Sequence, residues 1–285
     1  NRMIIFFSDG KLGNQLFQYA FLKTIAKKDE KIIATNMDNL LEVMDCNDEH
    51  FKNFSLGKYR KFIVNRFIRK ILVFTAKLKL IGYIKQDRNE TSALPSYTEK
   101  KGIFPITFVD QDFFQSEKFF DPEKFHINIK QKYMDIARNI VEKIDDGFTP
   151  IFVHVRRGDY LFEKYLDEVG IDLPRSYFTK AMEAIKKEVE NPFFIFLSDD
   201  PAFVACCFQD EKNKYISRND MGVDLALMTL CEYGIVSNSS FSWWGAYLMQ
   251  NRKKVIFPNY WYGWKQKIAS HIDIQPSWAE VIEVE

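Results

Sequence analysis

Histidine, cysteine, proline and glycine are all sparse in this chain of 285 residues: four His, four Cys, nine Pro and twelve Gly. The cysteines, Cys46, Cys206, Cys207 and Cys231, form no CxxC pair. That excludes a zinc ribbon or a disulfide scaffold, and it fits buried thiols in a reducing, cytoplasmic compartment. His50, His126 and His271 lie in no ligand-spaced cluster, so a metal centre is not expected. No Ser-His-acid or Cys-His arrangement stands out. There is no low-complexity tract and no long repeat. No run of about 18 apolar residues exists to cross a bilayer, and no secretory leader pattern is visible. The net charge of +1 argues against a general nucleic-acid partner.

Apolar and aromatic residues are abundant. Hydrophobic types make up 46% of the chain and Phe alone numbers 27, enough for one large domain or two of ordinary size. The charge is unevenly spread. Lys58 to Arg88 holds ten Lys and Arg against one acid, Asp87, which leaves the rest of the chain near −8. This segment reads as helical, with Phe62, Phe67, Ile71, Leu72 and Phe74 between its bases. Such a composition suits a helix lying on anionic lipid, and the plainer alternative is a solvated helix or a dimer face.

Short apolar runs alternate with helical stripes. "MIIFF" (Met3 to Phe7) reads as a buried strand, and Phe17, Ala20, Phe21, Thr24 and Ile25 follow at helical spacing. "KIIAT" predicts the next strand, which completes a βαβ unit. A strand is expected near Ile103 to Val109 and a helix over Asn128 to Lys143. A second series starts at Pro150 with "IFVHV". It continues with a helix through Phe178, Met182, Ile185 and Val189, then "FFIFL", a helix over Val223 to Tyr233, "GIVS", a helix from Ser242 to Gln250, and "KVIFP". The pattern predicts two α/β domains with parallel sheets, 1–148 and 149–285, divided at the turn residues "DDGFTP".

Ligands of parallel sheets bind beyond the carboxyl ends of the strands, which selects three loops. In "HVRRGDY" (His154 to Tyr160), His154 and Arg156 share a strand face and Arg157 takes the other. The turn at Gly158 is expected to bring both guanidiniums into a cleft, where their forks match phosphate oxygens. An ion pair of Arg156 or Arg157 with Asp159 or another acid is the structural alternative. "SNSSFSWWGAYL" offers Ser239 and Ser240 at a helix start, suited to phosphate or simply to capping. "GKLGNQLFQYA" places Gly10 and Gly13 at a strand–helix turn, with the amides of Asn14 and Gln15 behind them. It is neither GxGxxG nor a P-loop. "SDD" (Ser198 to Asp200) reads as a strand-end cap.

Taken together, "GKLGNQLFQYA", "FFQSEKFF", "HVRRGDY", "FLSDD", "DLALMTLCEYGIVSNSSFSWWGAYL" and "KVIFPNYW" resemble the bacterial α-1,2-fucosyltransferases of glycosyltransferase family 11. The blocks run from Gly10 to Trp261. The His-x-Arg-Arg-x-Asp block is shared with α-1,6- and protein O-fucosyltransferases, and "SNSSFSWWGA" singles out family 11. The basic 58–88 segment matches no family block.

The resemblance implies a GT-B fold, two Rossmann-like domains facing a cleft. The first would be the acceptor side and the second would bind GDP-fucose. It implies inverting transfer to the 2-hydroxyl of a galactoside, with no metal and no other cofactor. His154 and Asp224 would hold the nucleoside, and Arg156, Arg157, Ser239 and Ser240 the diphosphate. Gly10, Gly13, Asn14 and Gln15 would close over phosphate and fucose. Asp159 and Glu163 are the carboxylates placed to take the acceptor proton, with Asp159 favoured as a lock on Arg157. The acceptor would be a galactose-terminated glycan, lipid-linked in keeping with the family, at the inner face of the cytoplasmic membrane. An α-1,6- or protein O-fucosyltransferase, and a non-catalytic GDP-sugar or glycan binder, are the rival readings.

Overall fold

The structure, a computed structural model, describes residues 2–88 and 94–285. The chain forms two compact units, one of residues 1–128 with 272–274 and one of 129–271 with 275–285. The sequence suggests a change at 148/149. The difference is the helix Gln131–Val141, which packs on a later helix of the second unit and belongs with it.

The first unit runs β1 (Met3–Phe7), α1 (Leu12–Ile25), β2 (Lys31–Thr35), α2 (Asp38–Val43), β3 (Phe51–Phe54), α3 (Lys58–Ile63), a π-helical turn (Val64–Ile68), α4 (Arg69–Lys77), β4 (Gly82–Asp87), β5 (Ser96–Lys100) and β6 (Ile106–Val109). The sheet order is β3-β2-β1-β6-β4-β5. All neighbours are parallel except β4 and β5. Much of the phenylalanine is spent here. Phe21 stacks on Phe114 with centroids 3.9 Å apart, and Phe119 meets both rings edge-on. The basic segment is helical only to Lys77. From Gly82 it becomes a strand whose buried residues are Gly82 and Ile84.

The second unit runs α5 (Gln131–Val141), β7 (Thr149–Val155), α6 (Arg175–Lys186), β8 (Pro192–Ser198), α7 (Pro201–Cys207), β9 (Lys214–Ile216), α8 (Met221–Thr229), β10 (Tyr233–Ile235), α9 (Ser240–Tyr247), β11 (Lys254–Pro258) and β12 (Glu280–Ile282). Its sheet is all parallel, in the order β9-β8-β7-β10-β11-β12. Ile151 to Val153 and Phe194 to Leu197 are fully buried, as expected of strands covered on both faces. The α6 stripe Phe178, Met182 and Ile185 packs on Ile151, Val153 and Phe196.

In each sheet the first strand lies in the interior, with later strands on both sides. In the second unit β8 and β9 extend it to one side and β10 to β12 to the other. The order therefore reverses between β7 and β10. In the first unit the reversal lies between β1 and β6. Two Rossmann-like units of this kind make a GT-B-type fold. Among the described residues no helix is long and apolar enough to cross a membrane. Of the four thiols only Cys231 is buried, and Cys206 is exposed, because α7 turns that residue away from the sheet.

Candidate functional site

Where strand order reverses, the loops at the carboxyl ends of neighbouring strands diverge and leave a crevice. In the second unit those loops are "RRGDY" after β7 and "SNSS" after β10. They are tied together at the base: His154 Nδ1 lies 2.7 Å from Ser237 Oγ, both buried. Burial, and then the charge of Arg156, lower the His154 pKa to about 3. The ring is therefore neutral at any ordinary pH, one nitrogen committed to Ser237 and its face 5.4 Å from Phe241.

The two arginines have different surroundings. Arg156 pairs with Asp159 and, at 3.1 Å, with Asp199, and it lies over the Tyr160 ring. Arg157 donates to Asp172 (3.3 Å) and Asp200 (3.2 Å) and stacks 3.5 Å from the Phe203 centroid. Asp159 is thus the partner of Arg156, not the lock on Arg157 that the sequence favours. Asp159 lies in the short helical turn Gly158–Leu161 that follows the arginines, within reach of the Arg156 guanidinium. Gly158 has φ +23°, and a Cβ there would strike Asp199 Oδ2. The glycine is what lets Asp199 reach the backbone N–H of Arg157 at 2.8 Å.

"SDD" does cap a helix, since Asp200 accepts from Phe203 N at 3.0 Å. Its second task, supplying counter-ions to both arginines, was not visible from spacing alone. Tyr160 was also missed. Its hydroxyl donates to Asn238 O at 3.2 Å and lies 3.1 Å from Tyr262 Oη, so it ties the β7 loop to the β10 loop. Glu163 is exposed, and its carboxylate has no ion-pair partner among the described residues.

Ser239 is the N-cap of α9, its Oγ accepting from Phe241 N at 3.3 Å, and Ser240 is the first helical residue. The start of α9 presents backbone N–H groups and the positive end of the helix dipole. Asp224 sits in the first turn of α8 and accepts from Ser217 Oγ. Burial raises its carboxyl pKa to about 7, with the Ser217 hydrogen bond opposing and Asp220 adding a little. In the second unit the sequence candidates thus fall on strand-end loops and helix starts along one sheet edge.

In the first unit the turn after β1 holds the other four. Gly10 has φ +90°, a conformation that penalises any Cβ, and a side chain there would collide with Asn14. Asn14 accepts from Gln115 Nε2 at 2.7 Å, which bridges the β1 and β6 loops across that reversal point. Gly13 is buried in the first turn of α1. Gln15 is buried and engaged. Its Nε2 donates to Gly10 O and Asn36 O at 3.1 and 3.2 Å, and its Oε1 accepts from Leu40 N at 2.9 Å. It holds the loop in shape. Among the described residues no three His, Cys, Asp or Glu side chains gather as metal ligands.

A model of glycosyl transferase family 11 matches residues 3–281. The chain belongs to that family. A family 11 member is a glycosyltransferase. The chain is 25% identical to the Escherichia coli O-antigen biosynthesis glycosyltransferase WbnK, across 90% of this chain and 94% of that protein. It is 28% identical to an E. coli alpha-1,2-colitosyltransferase, across 84% and 85%. A mouse galactoside 2-alpha-L-fucosyltransferase, Sec1, is 26% identical over 43% of this chain and 35% of its own length. Among solved structures, fucosyltransferase NodZ from Bradyrhizobium superposes with a TM-score of 0.52 at 12% identity, covering 90% of this chain and 94% of that one. A glycosyl transferase family 9 protein from Veillonella parvula reaches 0.53 at 10% identity, covering 99% and 86%. At such identities these two speak to the fold, and this family 11 chain shares it.

Proposed function

We propose that the chain transfers L-fucose from GDP-β-L-fucose to the 2-hydroxyl of a galactose-terminated glycan, with inversion and without a metal ion. The observation that carries the reading is the placement of His154, Arg156 and the Ser239–Ser240 start of α9 at the carboxyl ends of adjacent strands, where the sheet order reverses. An anionic diphosphate suits that edge, and Asp224 supplies an acceptor for the donor edge of a guanine base.

Inversion needs one displacement. The galactoside oxygen bonds to the anomeric carbon as the bond to the β-phosphate oxygen breaks. GDP leaves with the electron pair, and the hydroxyl proton goes to a base. Charge grows on the diphosphate during the step, so a positioned cation stabilises the transition state more than the ground state. Arg156 is the residue we assign to that task. Asp159 is held by Arg156, so we assign the proton to Glu163. Arg157, clasped by Asp172 and Asp200, positions the loop. We further take the acceptor to be lipid-linked and the setting to be the inner face of the cytoplasmic membrane.

The colitosyltransferase relative favours a second donor, GDP-colitose, for the same site. The test is a donor screen with GDP-fucose, GDP-colitose, GDP-mannose and UDP-galactose on a soluble galactoside, followed by linkage analysis of the product. An α-1,2-fucoside is expected. Saturable GDP binding without transfer, or an α-1,6 product, overturns the proposal.

A further inference from the structure

The basic segment after β3 supplies none of the candidate site residues. Val64, Leu72, Val73 and Ala76 pack inward against Phe7, Ile81 and Phe108. The outward side of this helix is not polar. Phe62, Phe67, Ile71, Phe74 and Leu78 are each more than half exposed. Along α4, positions 67, 71, 74 and 78 form one stripe at helical spacing. Phe62 would fall off it in an uninterrupted α-helix, where five residues overshoot a full turn by about 140°. The π-helical turn corrects this. Arg69 N–H donates to Val64 O, a bond spanning five residues, and such winding stacks residues five apart. Phe62 and Phe67 therefore share a face. The stripe continues past the helix, because Ile103 N and Phe104 N bond Lys79 O and Leu80 O at 3.0 and 2.8 Å, and Ile103 and Phe104 are also more than half exposed.

Cations flank this apolar strip. Lys58, Arg60, Arg66, Lys70, Lys77 and Lys79 are exposed and have no carboxylate partner among the described residues, and no acid occurs from residue 58 to 86. Lys61 and Arg69 differ, being paired with Asp9 and Asp110. An aromatic strip bordered by unpaired bases is complementary to a layer that is anionic at its surface and apolar just beneath.

We infer that the Phe62–Leu78 face docks on an anionic lipid surface, with the aromatic side chains in the headgroup boundary and the lysines and arginines on lipid phosphates. This deepens the membrane setting of the proposed function and rests on that reading only for its purpose, since docking is measurable without any transfer. The probe is co-sedimentation of the chain with vesicles of phosphatidylglycerol and phosphatidylcholine in equal parts, beside vesicles of phosphatidylcholine alone. Binding is expected at low salt, to the anionic vesicles only, and to weaken as salt screens the charges. The triple variant Phe67→Ser, Ile71→Ser, Phe74→Ser should stay in the supernatant with an unchanged melting temperature. Lys70→Gln, Lys77→Gln, Lys79→Gln should lower the partition coefficient about a hundredfold, at roughly fivefold per base.

Both variants should transfer sugar to a soluble galactoside as the parent does. Absence of transfer by all three proteins, with vesicle binding by the parent intact, counts against the catalytic reading and not against this one. Parent protein left in the supernatant at low salt overturns the inference. So does a lipid-free dimer that the serine variant dissolves, which would place a second copy on this face.

Discussion

Asp224 gives the sharpest handle on the candidate site, because its protonation and its proposed task conflict. Burial raises its carboxyl pKa to about 7, well above an unfolded aspartate. Between about pH 4 and 7 the folded state therefore keeps a proton that the unfolded state has lost. Stability falls as pH rises across that window and levels off above it. The donor edge of guanine needs the ionised carboxylate, which only accepts hydrogen bonds. Binding must then release the proton, and affinity should rise with pH through about 7. Each unit below the pKa costs about 1.4 kcal/mol, or tenfold, so affinity at about pH 5 should be roughly a hundredfold below its alkaline plateau. His154 cannot cause this slope, since its pKa near 3 keeps it neutral throughout. The ligand for the assay is GDP-fucose, not GDP, because a diphosphate esterified at both ends does not titrate here. Calorimetry in buffers of different ionisation enthalpy counts the proton released. Asp224→Asn should abolish the slope, weaken binding by about 1.5–3 kcal/mol, and stabilise the protein by about 2–4 kcal/mol at alkaline pH, because no buried charge remains. An affinity flat with pH in the parent, or an equal slope in the asparagine variant, refutes the assignment.

Other perturbations separate the remaining side chains. Arg156→Ala should fold normally and lose about 2–4 kcal/mol of barrier reduction, roughly 30- to 1000-fold in kcat; turnover within a factor of a few of the parent removes it from the mechanism. Arg157→Ala leaves Asp172 and Asp200 without their partner, so the loss should appear as about 3 kcal/mol of stability, read as a melting temperature lowered by about 10 °C. Glu163→Gln should cut kcat about a hundredfold and erase the acid limb of the pH–rate profile, whereas Asp159→Asn should lower kcat and keep the limb. Turnover should be insensitive to EDTA, and restoration by added Mg²⁺ after chelation would contradict the metal-free step.

Most of the second unit was legible because its strands are buried on both faces. A run such as "FFIFL" must be covered on both sides, and helices between such runs force a parallel sheet. The first unit was less legible where charge hid the pattern. Over 82–87 only Gly82 and Ile84 are buried, so little in "GYIKQD" announces a strand, and the basic helical pattern reads on through it. The boundary at 148/149 failed for another reason. Turn residues mark where the chain bends, whereas membership of a unit depends on where α5 packs, which in part is on Gly222 of α8 beside Tyr133. The structural role of Gln15 was open to the sequence. The residue shares a helical face with the buried Gln18, and an amide facing a core satisfies both its ends locally, as Gln15 does on Gly10, Asn36 and Leu40.

The arginine pair shows why adjacent identical residues need not share a task. Neighbours on a strand point to opposite sides, so a doubled arginine at a strand end rarely delivers two equal forks to one anion. Arg156 keeps the side of His154, and its counter-ions are Asp159, half exposed, and Asp199. An incoming diphosphate can compete for a guanidinium held by carboxylates that water can reach, because such pairs contribute little on their own. Arg157 is fixed by two acids and by the face of Phe203, and Asp200 is also the cap of α7. Drawing Arg157 away would leave two carboxylates without their cation, one of them the cap of α7. The same dipeptide thus supplies one cation that can be recruited and one that holds the loop, and the alanine variants above should divide accordingly between turnover and stability.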